Sequence, residues 1–160
     1  MDINANIIAT TIEVFSSMLG METTPQEPMA AGMTHINSIS GIIGLAGSVK
    51  GMLAVHAPEK VALAITGGFL GMVVEEINED VQDAIGELAN MLAGGVKLTL
   101  ADNSSEIRLS VPSVIYGDSY NVSAPSNSLA FIIPFTITAG LFYVEFHLVR
   151  DKGGATNKPA

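Results

Sequence analysis

The segment from residue 79 to residue 100 constrains the fold most, because its apolar side chains recur with a helical period. Successive residues of an α-helix are about 100° apart, so the apolar residues gather on one side. Asn78 is a favourable N-cap, and Glu79 and Asp80 suit the positive end of a helix dipole. The pattern predicts a helix from about Glu79 to Leu100. Its predicted core face consists of Val81, Ile85, Leu88, Leu92 and Val96.

Two further helices are predicted upstream of this segment. Apolar residues at spacings of three to five predict a helix over Ile3–Leu19, which Gly20 ends. A second helix is predicted over Glu59–Leu70, because Pro58 favours its first turn and Gly71 favours its end.

Strand-like patterns occupy most of the remaining chain. A glycine-rich hairpin is predicted from Ile42–Val49 and Met52–Ala57, with its turn at Lys50-Gly51. Residues 22–32 contain two prolines and no clear period, so we expect a loop or an irregular strand there. Ala139-Gly140 is expected to join the last two strands as a hairpin. The strands predicted after residue 105 are Glu106–Val111, Val114–Ile115, Tyr120–Val122, Leu129–Thr138 and Leu141–Val149.

This order of elements predicts an α+β fold in which the helices pack on one face of an antiparallel sheet. A chain of 160 residues is long enough for one well-formed core and hardly for two. We therefore expect a single domain over residues 1–150. Residues 151–160 are polar and contain Gly153-Gly154 and Pro159, so we expect a flexible C-terminal tail.

The charge balance excludes several classes of partner. There are 16 acidic and 7 basic residues, for a net charge of −9, whereas nucleic acids and anionic membranes attract clustered Lys and Arg. The longest apolar run, about Leu129 to Phe135, is far shorter than the roughly 20 residues that span a bilayer. The first residues lack the basic segment of a signal peptide. We therefore expect a cytoplasmic protein that binds neither nucleic acid nor membrane.

The chain is unusually apolar for a soluble protein. Charged residues make up 14% of it, against about 25% in typical domains. Such a chain buries more surface than a single core requires, which indicates self-association through an apolar surface or a sheet edge. There is no cysteine, so disulfides, thiolate metal sites and a cysteine nucleophile are excluded.

A polar stripe runs along the predicted helix 79–100, opposite its core face. Asp83, Glu87, Asn90 and Gly94 fall within about 60° of one another on a helical projection. Gly86 and Ala93 flank the stripe, and we expect these small residues to leave a shallow, exposed surface that a partner can approach closely. Met91 is expected to border this surface.

The stripe has two interpretations at this point. It can be an ordinary solvated helix face, which most charged helix faces are. Two features favour a functional surface instead. The stripe has no Lys or Arg three or four residues away from its acids, so it is not a ladder of salt bridges. Asn90 is also a mediocre helix former for an interior position.

The stripe and its flanks resemble the CheX-type chemotaxis phosphatases of the CheC/CheX/FliY group. The helix motif of that group is Asp or Ser, three residues, Glu, two residues, Asn, and a glycine about four residues later. Asp83, Glu87, Asn90 and Gly94 match it position for position. The resemblance extends over most of the chain. Other segments similar to the family are Ser40–Leu45, Val49–Gly51 and Pro112–Gly117.

The resemblance implies a phosphatase that removes the phosphoryl group from the aspartyl phosphate of a CheY-like response regulator. It implies that Glu87 pairs with the active-site lysine of the regulator and that Asn90 orients the attacking water. Asp83 then has a supporting role, with Gly86, Met91 and Gly94 at the docking surface. The regulator supplies the Mg²⁺, so no cofactor is expected in this chain. The alternative is a non-catalytic module that binds a receiver domain or a flagellar-switch protein, and a third possibility is a structural subunit with an incidental stripe.

The number of motif copies favours the CheX type within the group. CheC-like members carry two copies on related helices, whereas one credible copy occurs here. Glu75-Glu76-Ile77-Asn78 also spells Glu-x-x-Asn, but Asn78 is predicted to be a helix cap. In the first helix, Glu13 is followed by Ser16 where an asparagine is needed. CheX-type members resemble homodimers joined through their sheets, so we expect a homodimer.

The three histidines are not predicted to bind a metal. His35, His56 and His147 are scattered along the chain without the spacing of metal ligands. We expect core or surface roles for them. A Ser–His–acid grouping cannot be argued from the sequence.

Overall fold

In the computed structural model, which describes residues 2–100 and 106–149, three helices cover one face of an antiparallel sheet. This architecture confirms the predicted fold class. The helices are α1 (Ile3–Val14), α2 (Glu59–Leu70) and α3 (Glu79–Leu100). A π-helical turn, Phe15–Leu19, continues α1 and ends at Gly20 in the left-handed conformation. Within the described ranges, no helix has both the length and the apolar character needed to cross a bilayer.

The sheet has eight strands, and its longest members lie at its centre. The strand order is β1-β7-β8-β4-β3-β5, with β2 also paired to β7 and β6 also paired to β3. The strands are β1 (Thr24–Pro25), β2 (Met29–Ala30), β3 (His35–Gly47), β4 (Lys50–Pro58), β5 (Ile107–Leu109), β6 (Ser113–Tyr120), β7 (Ser128–Ile137) and β8 (Gly140–Val149).

The predicted bounds of α2 and α3 are confirmed, but the predicted hairpin is partly wrong. The strand β3 begins at His35 rather than at Ile42, and the turn lies at residues 48–49, just before Lys50. Gly51 lies within β4, not in a turn. A Cβ on Gly51 would lie 2.1 Å from the carbonyl oxygen of His147, so the glycine permits close approach of the neighbouring strand β8.

One other strand prediction also needs correction. The separate strands expected at Val114–Ile115 and Tyr120–Val122 are replaced by one strand, β6, which ends at Tyr120 and pairs with β3 from His35 to Ile42. Within residues 22–32, the short strands β1 and β2 form along β7, which agrees with the irregular strand considered there. The predicted tail at 151–160 lies outside the described residues, and the single domain over 1–150 stays a prediction.

The hydrophobic core lies between the sheet and the helices. All five residues of the predicted core face of α3 are buried, and they pack with alternate residues of the central strands. At the other end of this layer, Phe142 stacks between Phe15 and Phe135, with ring centroids 4.7 Å and 5.3 Å apart. The helix α3 is therefore held by its apolar face, and its opposite face points away from the sheet.

A glycine on β3 sets how close α3 comes to the sheet. A Cβ on Gly41 would lie 2.8 Å from the carbonyl oxygen of Ile85 and 3.3 Å from Cβ of Ala89. The backbones of β3 and α3 are thus in direct contact at this point. Since α3 carries the polar stripe, this contact also fixes the position of the stripe relative to the sheet.

We expect Gly41→Ala to lower the free energy of unfolding by about 1–3 kcal/mol, because the added methyl group overpacks the contact with α3. The matched control is Gly44→Ala on the same strand, where a Cβ would meet only Ser110, at 3.7 Å. Urea unfolding followed by circular dichroism measures both. Equal effects of the two substitutions would contradict the role given to Gly41.

Candidate functional site

The helix α3 begins at a capped terminus and turns its polar stripe outward. The side-chain oxygen of Asn78 accepts a hydrogen bond from the backbone N–H of Val81 at 3.1 Å, which confirms the predicted cap. Because the core face is buried against the sheet, the predicted stripe lies on the outer side. The side chains of Asp83 and Glu87 are exposed, and Asn90 and Gly94 are half-buried.

The polar side chains of the stripe are not used to hold the fold together. The ion pairs within residues 2–100 and 106–149 both involve Glu145, on another element. Over the same residues, the side chains of Asp83, Glu87 and Asn90 form no hydrogen bond; on α3 itself, only Thr99 engages its side chain in one. Two carboxylates and one carboxamide are therefore available to a partner.

The expectation of an exposed surface at Gly86 and Ala93 is wrong. Both residues are buried. A Cβ on Gly86 would lie 3.4 Å from Cβ of Pro112 and 3.5 Å from Cγ2 of Val114, because the chain entering β6 packs against this side of α3. Gly86 thus permits close packing within the chain itself.

This packing creates a groove beside the stripe. The groove has a volume of about 330 Å³ and opens along the exposed acids of α3. Its lining residues are Gln82, Asp83, Gly86, Glu87, Pro112 and Val114. An open surface does exist at Gly94, where an added Cβ would meet nothing within 4 Å. Met91, half-buried, precedes Gly94 on the same helix.

The surface at the N-terminal half of the stripe is acidic, because Glu79, Asp80, Asp83 and Glu87 are all exposed; Lys97 lies on the same side at the other end of the helix. The sequence between Lys60 and Lys97 contains no Lys, Arg or His. Its six acids are Glu75, Glu76, Glu79, Asp80, Asp83 and Glu87. Such a surface attracts a partner that presents positive charge, and it accelerates encounter most at low ionic strength.

A second group of polar residues lies on the sheet face turned away from the helices, and the sequence did not reveal it. His35, His56, Glu145 and His147 are all buried there. The Glu145 carboxylate accepts hydrogen bonds from Nε2 of His56 at 2.8 Å and from Nε2 of His147 at 2.6 Å. Of the core or surface roles expected for the histidines, the structure shows core positions, and the three residues form one cluster instead of being scattered in space.

Hydrogen bonds and burial set the charges in this cluster. Burial alone raises the pKa of Glu145, but the hydrogen bonds from His147 and His56 outweigh it and hold that pKa at about 2. Burial, with a smaller contribution from His56, lowers the pKa of His35 to about 4. At neutral pH the cluster therefore contains an ionised carboxylate and an uncharged His35.

Part of this cluster has the connectivity of a nucleophile–base–acid triad. The hydroxyl of Ser40 lies 2.6 Å from Nδ1 of His56, whose Nε2 bonds to Glu145. Ser40 is fully buried, however, so no substrate carbonyl can reach it. The only sequence signal was Glu145 and His147, two polar residues that alternate with apolar ones in a strand.

Comparisons with known proteins agree on one family. The family model described as chemotaxis phosphatase CheX matches residues 39–136. A curated relative, the CheY-P phosphatase CheX of Thermotoga maritima, is 27% identical over 150 residues, which cover 92% of this chain and 95% of that protein.

Solved structures share the fold. The chemotaxis protein CheX from Desulfovibrio desulfuricans superposes with a TM-score of 0.80 at 30% identity, over 92% of this chain and 99% of that one. A CheX–CheY–BeF3–Mg²⁺ complex from Borrelia burgdorferi matches with a TM-score of 0.77 over 93% of this chain and 99% of that one. At 22% identity, this second likeness concerns the fold alone.

We expect Gly94→Ala to raise the free energy of unfolding by up to about 1 kcal/mol, because alanine is the better helix former and the methyl group has open space. The control is Gly95→Ala. There the added Cβ would lie 2.5 Å from Cγ2 of Thr10 on α1, so we expect destabilisation. Thermal unfolding of both variants measures the difference, and a loss of stability in Gly94→Ala would contradict the described geometry.

Proposed function

Because this chain belongs to the chemotaxis phosphatase family CheX, we propose that it accelerates hydrolysis of the aspartyl phosphate on a CheY-like response regulator. The observation that carries the proposal is the outward stripe of α3, where the side chains of Asn90 and two acids have no hydrogen-bond or ion-pair partner among the described residues. The curated relative from Thermotoga maritima bears the name of this activity. The cytoplasmic location expected from the sequence is part of the same proposal.

In this proposal Asn90 orients the water that attacks phosphorus. Phosphoryl transfer demands positioning and charge stabilisation more than covalent chemistry from the protein. A carboxamide oxygen accepts a hydrogen bond from water without adding negative charge beside the phosphate. A carboxylate at position 90 would be repelled by the phosphoryl oxygens. The buried core face of α3 supports this role, because it fixes the position of the backbone from which Asn90 projects.

Glu87 is proposed to dock the helix by pairing with the active-site lysine of the regulator. Its carboxylate is exposed and unpaired among the described residues, so pairing does not require breaking an internal salt bridge. Asp83, one turn earlier, adds a supporting contact. Met91 and Gly94 border the contact surface, whereas Gly86 contributes through the groove that Pro112 and Val114 form against it.

No cofactor from this chain takes part in the proposed reaction. The Mg²⁺ that neutralises the phosphoryl oxygens is bound by the regulator, together with the aspartyl phosphate itself. The active site is therefore completed only in the complex. This division explains why a helix with two carboxylates and one amide is sufficient on the side of the phosphatase.

We also propose that the chain forms a homodimer through the edge strand β6. One side of β6 pairs with β3, and no other described strand pairs with its outer side. Val114, Ile115 and Tyr116 on this strand are 37%, 40% and 49% exposed. An exposed apolar edge of this length is a template for pairing with a second sheet.

Asn90→Ala is expected to reduce the acceleration of dephosphorylation by about 10²–10⁴-fold, the usual range for a positioned catalytic group, while binding to the regulator is retained. The assay follows loss of radiolabel from a phosphorylated receiver domain. The matched control is Asn4→Ala on α1, which should keep full activity. Full activity in Asn90→Ala would refute the mechanism.

Glu87→Lys is expected to weaken binding to the phosphorylated regulator, because it places a positive charge opposite the lysine of the regulator. Glu87→Gln, which only removes the charge, should lie between Glu87→Lys and the wild type. Titration calorimetry against the receiver measures the affinities. If the wild-type chain binds the receiver stably but does not change the lifetime of its phosphoryl group, the chain is a non-catalytic binding module. If the wild-type chain does not bind the receiver, the stripe has no docking function.

Ile115→Lys is expected to convert the dimer into a monomer, because it places charge on the proposed interface. The control is Leu141→Lys, at an equally exposed leucine on the interior strand β8. Sedimentation equilibrium gives the masses. A wild-type monomer, or a dimer that persists in Ile115→Lys, would contradict the assignment of this edge.

A further inference from the structure

We propose that His35, His56 and Glu145 form a binding site for a divalent transition-metal ion, with zinc as the ion best suited to these ligands. The three residues come from β3, β4 and β8, and all are buried. One potential ligand atom from each lies within 4.8 Å of the others. The site lies on the face of the sheet opposite α3, so this inference does not rest on the proposed phosphatase function.

The topology brings the three residues together although they are far apart in sequence. His56 lies on the opposite face from its neighbours Val55 and Ala57, which belong to the helix-side core. Ala54, two residues before His56, lies on the same face as His56. It pairs with Glu145 across β4 and β8, so Glu145 also lies on this face. His35 reaches the same face because Asn37, with φ of 45°, interrupts the alternation of β3.

The proposed ligands His56 and Glu145 are already oriented by hydrogen bonds to neighbouring side chains, as metal sites require. The Nδ1 atom of His56 lies 2.6 Å from the hydroxyl of Ser40, which lies 2.6 Å from the hydroxyl of Tyr120. The second oxygen of Glu145 accepts a hydrogen bond from His147 at 2.6 Å. These contacts orient Nε2 of His56 and the first oxygen of Glu145 toward each other.

His35 supplies the observation that points to a ligand. Its Nε2 atom is fully buried and has no hydrogen-bond partner among residues 2–100 and 106–149, and an unsatisfied buried nitrogen is rare in folded proteins. The side chain is 3% exposed, so bulk water does not satisfy it. Coordination of a metal ion would use its lone pair, since the ring is uncharged at neutral pH.

The chemistry of this ligand set favours zinc. Two imidazoles and one carboxylate are common zinc ligands, with bonds of about 2.0–2.2 Å, and a water molecule can complete a tetrahedron. Binding replaces the hydrogen bond between His56 and Glu145. Nε2 of His56 then binds the ion through its lone pair, which places the ring hydrogen on Nδ1, where the hydroxyl oxygen of Ser40 accepts it.

One movement is required for coordination. The rings of His35 and His56 are stacked, with centroids 3.8 Å apart and planes inclined by 21°. Their lone pairs therefore run almost parallel, and the ring of His35 must tilt before both nitrogens can bind one ion. A bound ion would then join three strands of the sheet, which predicts a structural effect on stability.

The test uses the full chain treated with a chelator and then titrated with Zn²⁺. We expect one equivalent to bind by calorimetry, Co²⁺ to give the absorption bands of a tetrahedral site, and Tm to rise on metal addition. His35→Gln should bind zinc at least tenfold more weakly while keeping its circular dichroism spectrum. Asn90→Ala, at the site on the other face, should bind zinc as the wild type does.

Two results would overturn the proposal. One is no rise in Tm and no saturable binding at a tenfold excess of Zn²⁺, and the other is equal binding in the wild type and His35→Gln. Should His35→Gln not fold, nitrogen NMR of the wild-type histidines decides the matter. Metal binding must shift the Nε2 signals of His35 and His56, and unchanged signals would exclude these ligands.

Discussion

The backbone contact between β3 and α3 is the constraint on which the rest of the structure depends. At Gly41 the strand leaves room for only a hydrogen atom beneath Ile85 and Ala89, so the helix lies directly on the sheet. Around this point the apolar face of α3 is buried. A helix fixed in height and rotation presents a fixed outer surface, so the backbone position from which Asn90 projects is defined by this contact.

The two faces of the sheet have different chemistry. The helix side holds an apolar core and, beyond it, an acidic surface that suits a positively charged partner. The other side buries a carboxylate among three histidines, an arrangement that is stable only because each hydrogen bond is short and enclosed. The groove beside Gly86 joins the stripe to β6, so the docking surface and the proposed dimer edge are neighbours on the molecule.

Local patterns predicted the helices and the stripe, because a helix is specified by residues three to four apart and by its own caps. Asn78 and Gly71 marked their helix ends correctly. The wrong predictions share a different cause, since each depends on contacts between residues that are far apart in the sequence. Gly51 was predicted to lie in a turn, but it permits close approach of β8. Gly86 was predicted to leave an exposed surface, but it packs against Pro112. His35, His56 and Glu145 meet only through strand pairing, which spacing along the chain does not reveal.

In the proposed mechanism, the carboxamide of Asn90 enters the active site of a phosphorylated regulator. A crystal structure of this chain with a CheY-like receiver domain carrying beryllofluoride and Mg²⁺ tests it most directly. We expect the receiver to cover the stripe of α3 and the amide of Asn90 to lie within hydrogen-bond distance of a water placed about 3–3.5 Å from beryllium, on the side opposite the aspartate. A receiver bound to any other face, or an Asn90 amide that points away from the beryllofluoride, would contradict it.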